Sequence, residues 1–210
     1  MKKQTEQVSI SPPNFKVREF KIEGIAPLVI NRFSQKAKEI MIETQIAGST
    51  AKGKKKREAK DFDALYEGSR YVSPEGWDGF NATSIRNACI RACSLVGYAM
   101  TKAKLSIFVV EDGWDKQEPQ IPLIRIYGKS VKQIDPAPVA NGNMDLRVRA
   151  AYHKWHAIIK IRWDADQFTL SDVTNLLMRS GMQVGIGEGR PNSKSSCGMN
   201  WGLFKLADKV

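Results

Sequence analysis

The chain has two histidines, His153 and His156, and three cysteines, Cys89, Cys93 and Cys197. Each scarcity excludes a class of chemistry. Three cysteines cannot all pair with one another, and the first two recur at helical spacing among apolar neighbours, which marks reduced core thiols rather than a disulfide framework. The histidines stand three residues apart where a strand begins, so period-two alternation points them to opposite faces. No acidic or cysteine cluster lies near them in sequence, and neither a metal nor a cofactor is expected. No apolar run reaches the roughly 20 residues that cross a bilayer. The segment from Met1 to Gln7 lacks the apolar core of a secretion signal, so a cytoplasmic protein without a membrane partner is expected. Acid is the minority charge: 22 Asp and Glu against 33 Lys and Arg give a formal net charge of +11. Such an excess favours a polyanionic partner without naming it.

What is present is an ordinary globular composition, 42% hydrophobic over 210 residues, enough for one elaborated domain over 1–210. Phe15 to Ile30 alternates apolar and polar residues, interrupted by Gly24 and Pro27, as a broken first strand does. Phe33 to Thr44 turns helical and then gives way to a basic stretch with Lys52, Lys54, Lys55, Lys56 and Arg57. Residues 34–79 read as a basic insertion. Thr83 to Val96 repeats Ile85, Ala88, Cys89, Ala92, Cys93 and Val96 at helical spacing, with Asn81 or Thr83 as its cap. Leu105 to Val110 reads as a buried strand. Residues 112–155, rich in Pro, Gly and short alternations such as Met144 to Arg149, read as a second insertion with one or two hairpins. Ala157 to Trp163 alternates cleanly: Ile159, Ile161 and Trp163 share one face, Lys160 and Arg162 the other. Ser171 caps a helix whose Val173, Leu176, Leu177 and Ser180 face the core, and Gly181 ends it. A glycine-rich loop and a strand from Trp201 to Leu206 follow. Strand, helix, strand, strand, helix, strand is the order of an α+β, ferredoxin-like (RRM-like) unit with an antiparallel sheet.

The segment from Gln183 to Phe204 is the most informative. Gly185, Gly187, Gly189, Gly198 and Gly202 permit close backbone approach, while Arg190, Ser193, Lys194, Ser195 and Ser196 supply donors, together a phosphate cradle. The competing reading is a surface loop whose glycines only make turns. Gly189 to Ser195 fails as a nucleotide P-loop, because Ser193 stands before Lys194 where glycine is required and a strand, not a helix, follows. A dinucleotide fingerprint fails for want of the same helix. The basic run from Lys52 to Arg57 would neutralise phosphates, each contact steepening the salt dependence by about 0.7 on a single strand. Its alternative is a solvated loop. Trp77, Phe80, Trp114, Tyr127, Tyr152, Trp155 and Trp201 lie in or beside loops, where one or two exposed rings would stack on bases.

Taken together, the run from Phe80 to Arg91 (FNATSIRNACIR) and the loop from Gly185 to Gly202 resemble the two diagnostic regions of the RAMP (repeat-associated mysterious protein) superfamily. There a small-polar, apolar, basic, small run opens the first core helix, and a glycine-rich loop with a basic residue precedes the last strand. This chain departs from the pattern with Asn87 in place of a glycine, with Arg91 one place late and with a long spacer from Gly189 to Gly198. The resemblance implies a ferredoxin-like RNA-binding protein like the backbone subunits of CRISPR effector complexes, which form a filament along the guide RNA. It implies that Ser84, Arg86, Gly187, Gly189 and Arg190 contact the RNA backbone. The two insertions would be a finger-like lid and a hairpin thumb, and the size suits a divergent, phage-borne relative. The superfamily's endonucleases place a histidine near the first core helix, and none precedes His153 here, so no catalytic residue is assigned. Asp61 and Asp63 follow the basic run, where some backbone subunits carry a cleaving acid, but charge balance with the neighbouring lysines is the stronger reading.

The expectation is a sequence-independent binder of a single strand, RNA before DNA, that self-associates into a filament or a multi-subunit ribonucleoprotein. Its candidate contacts are Ser84, Arg86, Gly187, Gly189, Arg190, Ser193, Lys194, the run Lys52, Lys54, Lys55, Lys56 and Arg57, and the strand residues Lys160 and Arg162. The alternatives are a phage single-stranded DNA-binding or annealing protein, and a RAMP-type endoribonuclease using His153 or His156 with nearby lysines.

Overall fold

The structure is a computed structural model that describes residues 10–33, 35–48, 59–138, 144–193 and 199–207. The interruption expected after Gly24 separates β1 (Phe15–Gly24) from β2 (Leu28–Ile30), with Pro27, which has no N–H to donate, just before the second piece. The two pieces belong to different sheets. Helices α1 (Gln35–Ala47) and α2 (Phe62–Ser69) follow. Asp61 caps α2, its carboxylate accepting from the Asp63 and Ala64 N–H groups at 3.0 Å each, and Asp63 pairs with Lys132. Both acids therefore have structural employment.

Strands β3 (Tyr71–Val72) and β4 (Asp78–Asn81) lead into α3 (Thr83–Cys93). Asn81 Oδ1 accepts from the Thr83 N–H at 2.9 Å, satisfying one of the donors a helix start leaves open. Ile85, Ala88, Cys89, Ala92 and Cys93 are buried as the periodicity predicts, but Val96 falls in a 3-10 turn beyond the helix and is exposed. Burial pushes the Cys89 thiol up to about 12, as expected of an inert core cysteine. The strand expected from Leu105 starts later. Leu105 lies in the last turn of α4 (Met100–Ser106), largely exposed, and β5 is Ile107–Val110.

The chain continues through β6 (Gly113–Trp114), β7 (Pro122–Arg125), β8 (Tyr127–Gly128), β9 (Val131–Pro138), β10 (Met144–Tyr152) and β11 (Trp155–Asp164). Helix α5 (Leu170–Arg179) and β12 (Phe204–Leu206) complete the elements. The result is a mixed α/β chain with antiparallel sheets and, among the described residues, five α-helices. None of these is long and apolar enough to cross a membrane.

The largest sheet runs β12-β1-β11-β5, with β8 pairing beside β11. Register sets Phe20 opposite Ile159, Ile22 opposite Ala157 and Ile107 opposite Trp163. Those residues and Ile161 and Phe204 form one buried cluster with Ile85 and Cys89 of α3 and Val173 and Leu177 of α5. Each fully buried aliphatic side chain there stabilises by roughly 1.5–3 kcal/mol. The opposite face carries Val17, Glu19 and Lys21 of β1 beside Arg162, Lys160 and Ile158 of β11, the alternation the sequence predicts. Two smaller sheets, β2-β10-β9 and β3-β4-β7-β6, are built from residues between the core elements.

Two features of α5 differ from expectation. Its cap is Thr169, not Ser171: Thr169 Oγ1 accepts from the Asp172 N–H while the Asp172 carboxylate accepts from the Thr169 N–H, a reciprocal capping box. Gly181 does not end the helix, which passes into a π turn (Ser180–Val184) that packs against β12. A Cβ at Gly181 would collide with the Phe204 carbonyl oxygen and ring. The glycine is there for close approach rather than for termination. Gly181→Ala should therefore cost about 2 kcal/mol by overpacking and lower the thermal midpoint by about 4–8 °C; an unchanged melt monitored by circular dichroism would contradict this packing.

Candidate nucleic-acid interface

The loop after the π turn is folded back into the protein. The Glu188 N–H donates to the Val29 carbonyl at 2.9 Å, the Ile186 N–H to Gly202 at 3.0 Å and the Gly202 N–H to Pro27 at 2.7 Å. Gly187 and Gly202 have φ of 73° and 67°, and a Cβ at either would run into the backbone carbonyl of Val29 or Ile186. Only glycine satisfies both the left-handed conformation and the close approach. The glycines thus serve packing as well as turning, and residues 185–189 are wedged between β2 and the turn at 201–202. Trp201 lies against Gly189, whose carbonyl accepts the Trp201 N–H.

A buried ion pair holds the loop from its other side. Arg149 of β10 donates two hydrogen bonds to Glu188, at 2.8 and 2.7 Å, and reaches Asp135 at 3.1 Å. Arg147 adds a weaker approach to Glu188 at 3.6 Å. Two fixed hydrogen bonds from a planar guanidinium set position as well as charge.

The wedge brings residues about a hundred positions apart to one cavity of about 420 Å³. Asn81 at the end of β4 and Ser84 and Asn87 of α3 form part of its wall, and Gly187, Glu188 and Arg190 of the glycine loop form another part. Arg190 Nη1 donates to the Gly187 carbonyl at 2.7 Å, so the cation is tied to the loop it serves. Asn192 also lines the cavity and accepts from Arg91 Nε at 3.1 Å. Asn31 closes the ring, giving four asparagines around one space. Among the described residues, none offers a hydrogen-bond partner to the Ser84 hydroxyl or the Asn31 and Asn87 amides. Glu188 is neutralised by its arginines, which leaves Arg190 to set the sign of the cavity. Unspent neutral donors around one cation suit an anionic ester with hydroxyl or carbonyl neighbours.

The other sequence candidates lie elsewhere. Arg86 does not line the cavity: its guanidinium donates to the Ile107 carbonyl at 2.9 Å and to the Lys104 carbonyl, and it covers the Phe108 ring at 5.3 Å. It fastens α3 to α4 and β5. Gly189 is buried behind the wall, and Ser193 closes a turn with Arg190 through its N–H at 3.0 Å. Lys160 pairs with Glu19 at 3.3 Å and Arg162 covers Phe15 and Phe108 at 5.0 and 4.9 Å, both on the open sheet face. Lys52, Lys54, Lys55, Lys56, Arg57, Lys194, Ser195, Ser196, Cys197 and Gly198 lie outside the described residues. Of the rings considered for stacking, Phe80, Tyr152 and Trp155 are buried in the core, while Tyr127 and Trp114 are exposed and Trp77 partly so. His153 and His156 line one shallow hollow of about 310 Å³ rather than opposite faces, because His153 precedes β11 and escapes its alternation.

No protein-family model matches the chain, and a search of curated proteins finds none that matches it. The geometry of the cavity therefore carries the functional argument.

Asn31, Asn192 and Arg149 were not singled out from the sequence. Each is an ordinary polar residue in its own stretch, and nothing local distinguishes it. Replacing Glu188 with Ala should leave the Arg149 charge buried beside Asp135 alone and destabilise the fold by about 3 kcal/mol. Replacing both, Arg149→Met with Glu188→Leu, should cost far less. Urea unfolding of the three proteins checks the clamp; equal losses for the single and double variants would refute it.

Proposed function

We propose that this protein binds a single nucleic-acid strand through its sugar-phosphate backbone, with RNA the preferred strand, in the cavity between α3 and the glycine loop. The observation that carries the reading is the convergence there of Ser84 with Gly187 and Arg190, two segments singled out separately in the sequence. The sheet order β12-β1-β11-β5, which is fourth, first, third, second among those strands, supports a ferredoxin-like core with α3 and α5 as its two helices. On that reading the chain is a divergent RAMP-like protein, residues 34–79 and 112–155 are its insertions, and copies line up along the strand. The net charge of +11 supports a polyanionic partner.

The cavity offers hydroxyl, amide and backbone groups around one arginine, which is the chemistry of backbone rather than base-edge recognition. Side-chain amides, whose oxygen accepts and whose NH2 group donates, give a means of sensing a 2′-hydroxyl, the group that separates RNA from DNA.

Fluorescence anisotropy with a labelled 20-nucleotide RNA and the DNA of the same sequence tests the reading. Arg190→Ala should weaken RNA binding about tenfold, the loss of one charge-assisted hydrogen bond, equally for unrelated sequences. Unchanged affinity would remove the cavity from the site. Equal affinity for DNA would move the preference to a DNA-binding protein, and metal-independent shortening of the labelled strand would mark a nuclease.

A further inference from the structure

Away from the glycine-loop cavity, the surface where β4, β7 and β8 meet β11 carries four flat groups in succession. Trp77, just before β4, lies down on two glycines. A Cβ at Gly79 would stand 3.1 Å from Trp77 Cζ3, and one at Gly113 would stand 2.9 Å from Cζ2. Arg125 of β7 sits directly across from Gly79 in the register. Its guanidinium carbon is 5.9 Å from the centre of the Trp77 ring and 5.0 Å from that of Tyr127. Tyr127 in turn stacks on His156, its register partner, with centroids 4.8 Å apart and planes 9° from parallel. Indole, guanidinium, phenol and imidazole therefore form one row.

The charges around this row are unevenly spent. Asp78 accepts from Arg70 at 2.6 Å and from the Tyr152 hydroxyl at 2.9 Å, and Glu67 accepts from Arg70 at 2.7 Å. Glu75 accepts from Trp77 Nε1 at 3.0 Å, and Asp112 accepts the backbone N–H of Arg125 at 2.9 Å. Among the described residues, the Arg125 guanidinium has neither a hydrogen-bond partner nor an ion-pair partner, and the residue is exposed. Two neighbouring rings restrain the guanidinium, whose N–H groups have no acceptor among the described residues. A planar fork is matched to two oxygens of a phosphate, which a lysine ammonium cannot reproduce. Arg125 lines a hollow of about 560 Å³ together with Arg70, Trp77, Tyr127, His156 and Asp78, whose carboxylate is already paired with Arg70.

We propose that this hollow is a second phosphodiester seat, in which Arg125 pairs with two phosphate oxygens of the strand held at Arg190. The seat rests on the single-strand reading of the first cavity and adds the path of the strand. β4 joins the two sites: Phe80 and Asn81 line the first, Trp77 and Asp78 the second. From Trp77 to Asn81 the chain spans about 13 Å at strand rise. Gly79, without a side chain, lies between the two.

The test is RNA binding by the full chain across a range of KCl concentrations, comparing Arg125→Ala, Arg125→Lys and Arg190→Ala with the native protein. Arg125→Ala should weaken binding about tenfold and reduce the slope of log affinity against log salt by about 0.7, one phosphate contact on a single strand. Arg125→Lys should keep the slope and lose about threefold in affinity, because the charge survives and the fork does not. Native affinity and slope in Arg125→Ala, with Arg190→Ala impaired, would overturn the seat and leave the first cavity standing. No RNA binding by the native protein would overturn both. If a melt shows that Arg125→Ala does not fold, Arg125→Lys decides: threefold weaker binding supports the seat and native affinity removes it.

Discussion

The wedging of residues 185–189 between β2 and the turn at 201–202 is the constraint on which the rest of the site depends. Two hydrogen bonds fix the loop, from Glu188 to Val29 of β2 and from Ile186 to Gly202 of the turn, and Gly202 in turn bonds to Pro27. The Arg149–Glu188 pair fixes it from the side of β10. A buried pair of this kind adds little net stability against an apolar alternative. Its effect is on position: with bidentate geometry, Glu188 has one place to be, and Gly187 and Arg190 on either side are carried with it. That clamp and the backbone hydrogen bonds together set where Arg190 lies relative to Ser84.

The same arithmetic of spent and unspent charge organises the surface. Several of the cations on the strands and helices are already engaged. Arg86 is bonded to two carbonyls, Arg70 to two acids and Lys160 to Glu19. Net charge therefore says little about which groups can meet a ligand. The two that we propose meet the strand, Arg190 and Arg125, each line a hollow of the surface. Both guanidiniums are held in place by their own surroundings, the first by the Gly187 carbonyl and the second by two rings. Groups held this way need no costly ordering when an anion arrives.

Parts of this architecture are legible from short windows of sequence. Helix α3 and strand β11 were readable because apolar residues at periods of 3.6 and 2 bury themselves on a core face, and both elements did so, from Ile85 to Cys93 and from Ala157 to Trp163. The glycine-rich loop and the start of α3 were both recognisable as chemically unusual stretches. Misreadings fell at element ends, where a helix and a strand compete for the same residues. Leu105 went to α4 because the helical turn closes before the strand begins, and Gly181 looked like a stop because its partner, Phe204, is more than twenty residues away in the chain.

Local periodicity thus determined which residues face the core, since that choice depends only on spacing along one element. Which polar groups meet was decided by long-range register and by close contact between distant backbones. Asn31, Asn81, Asn87 and Asn192 share a cavity only because β2, α3 and the glycine loop are packed together. Arg125 finds Trp77 and Tyr127 only because β7 pairs with β4 and β8 pairs with β11. No window of neighbouring residues contains those pairings, because the free energy that selects them comes from burying surfaces that the chain brings together only on folding.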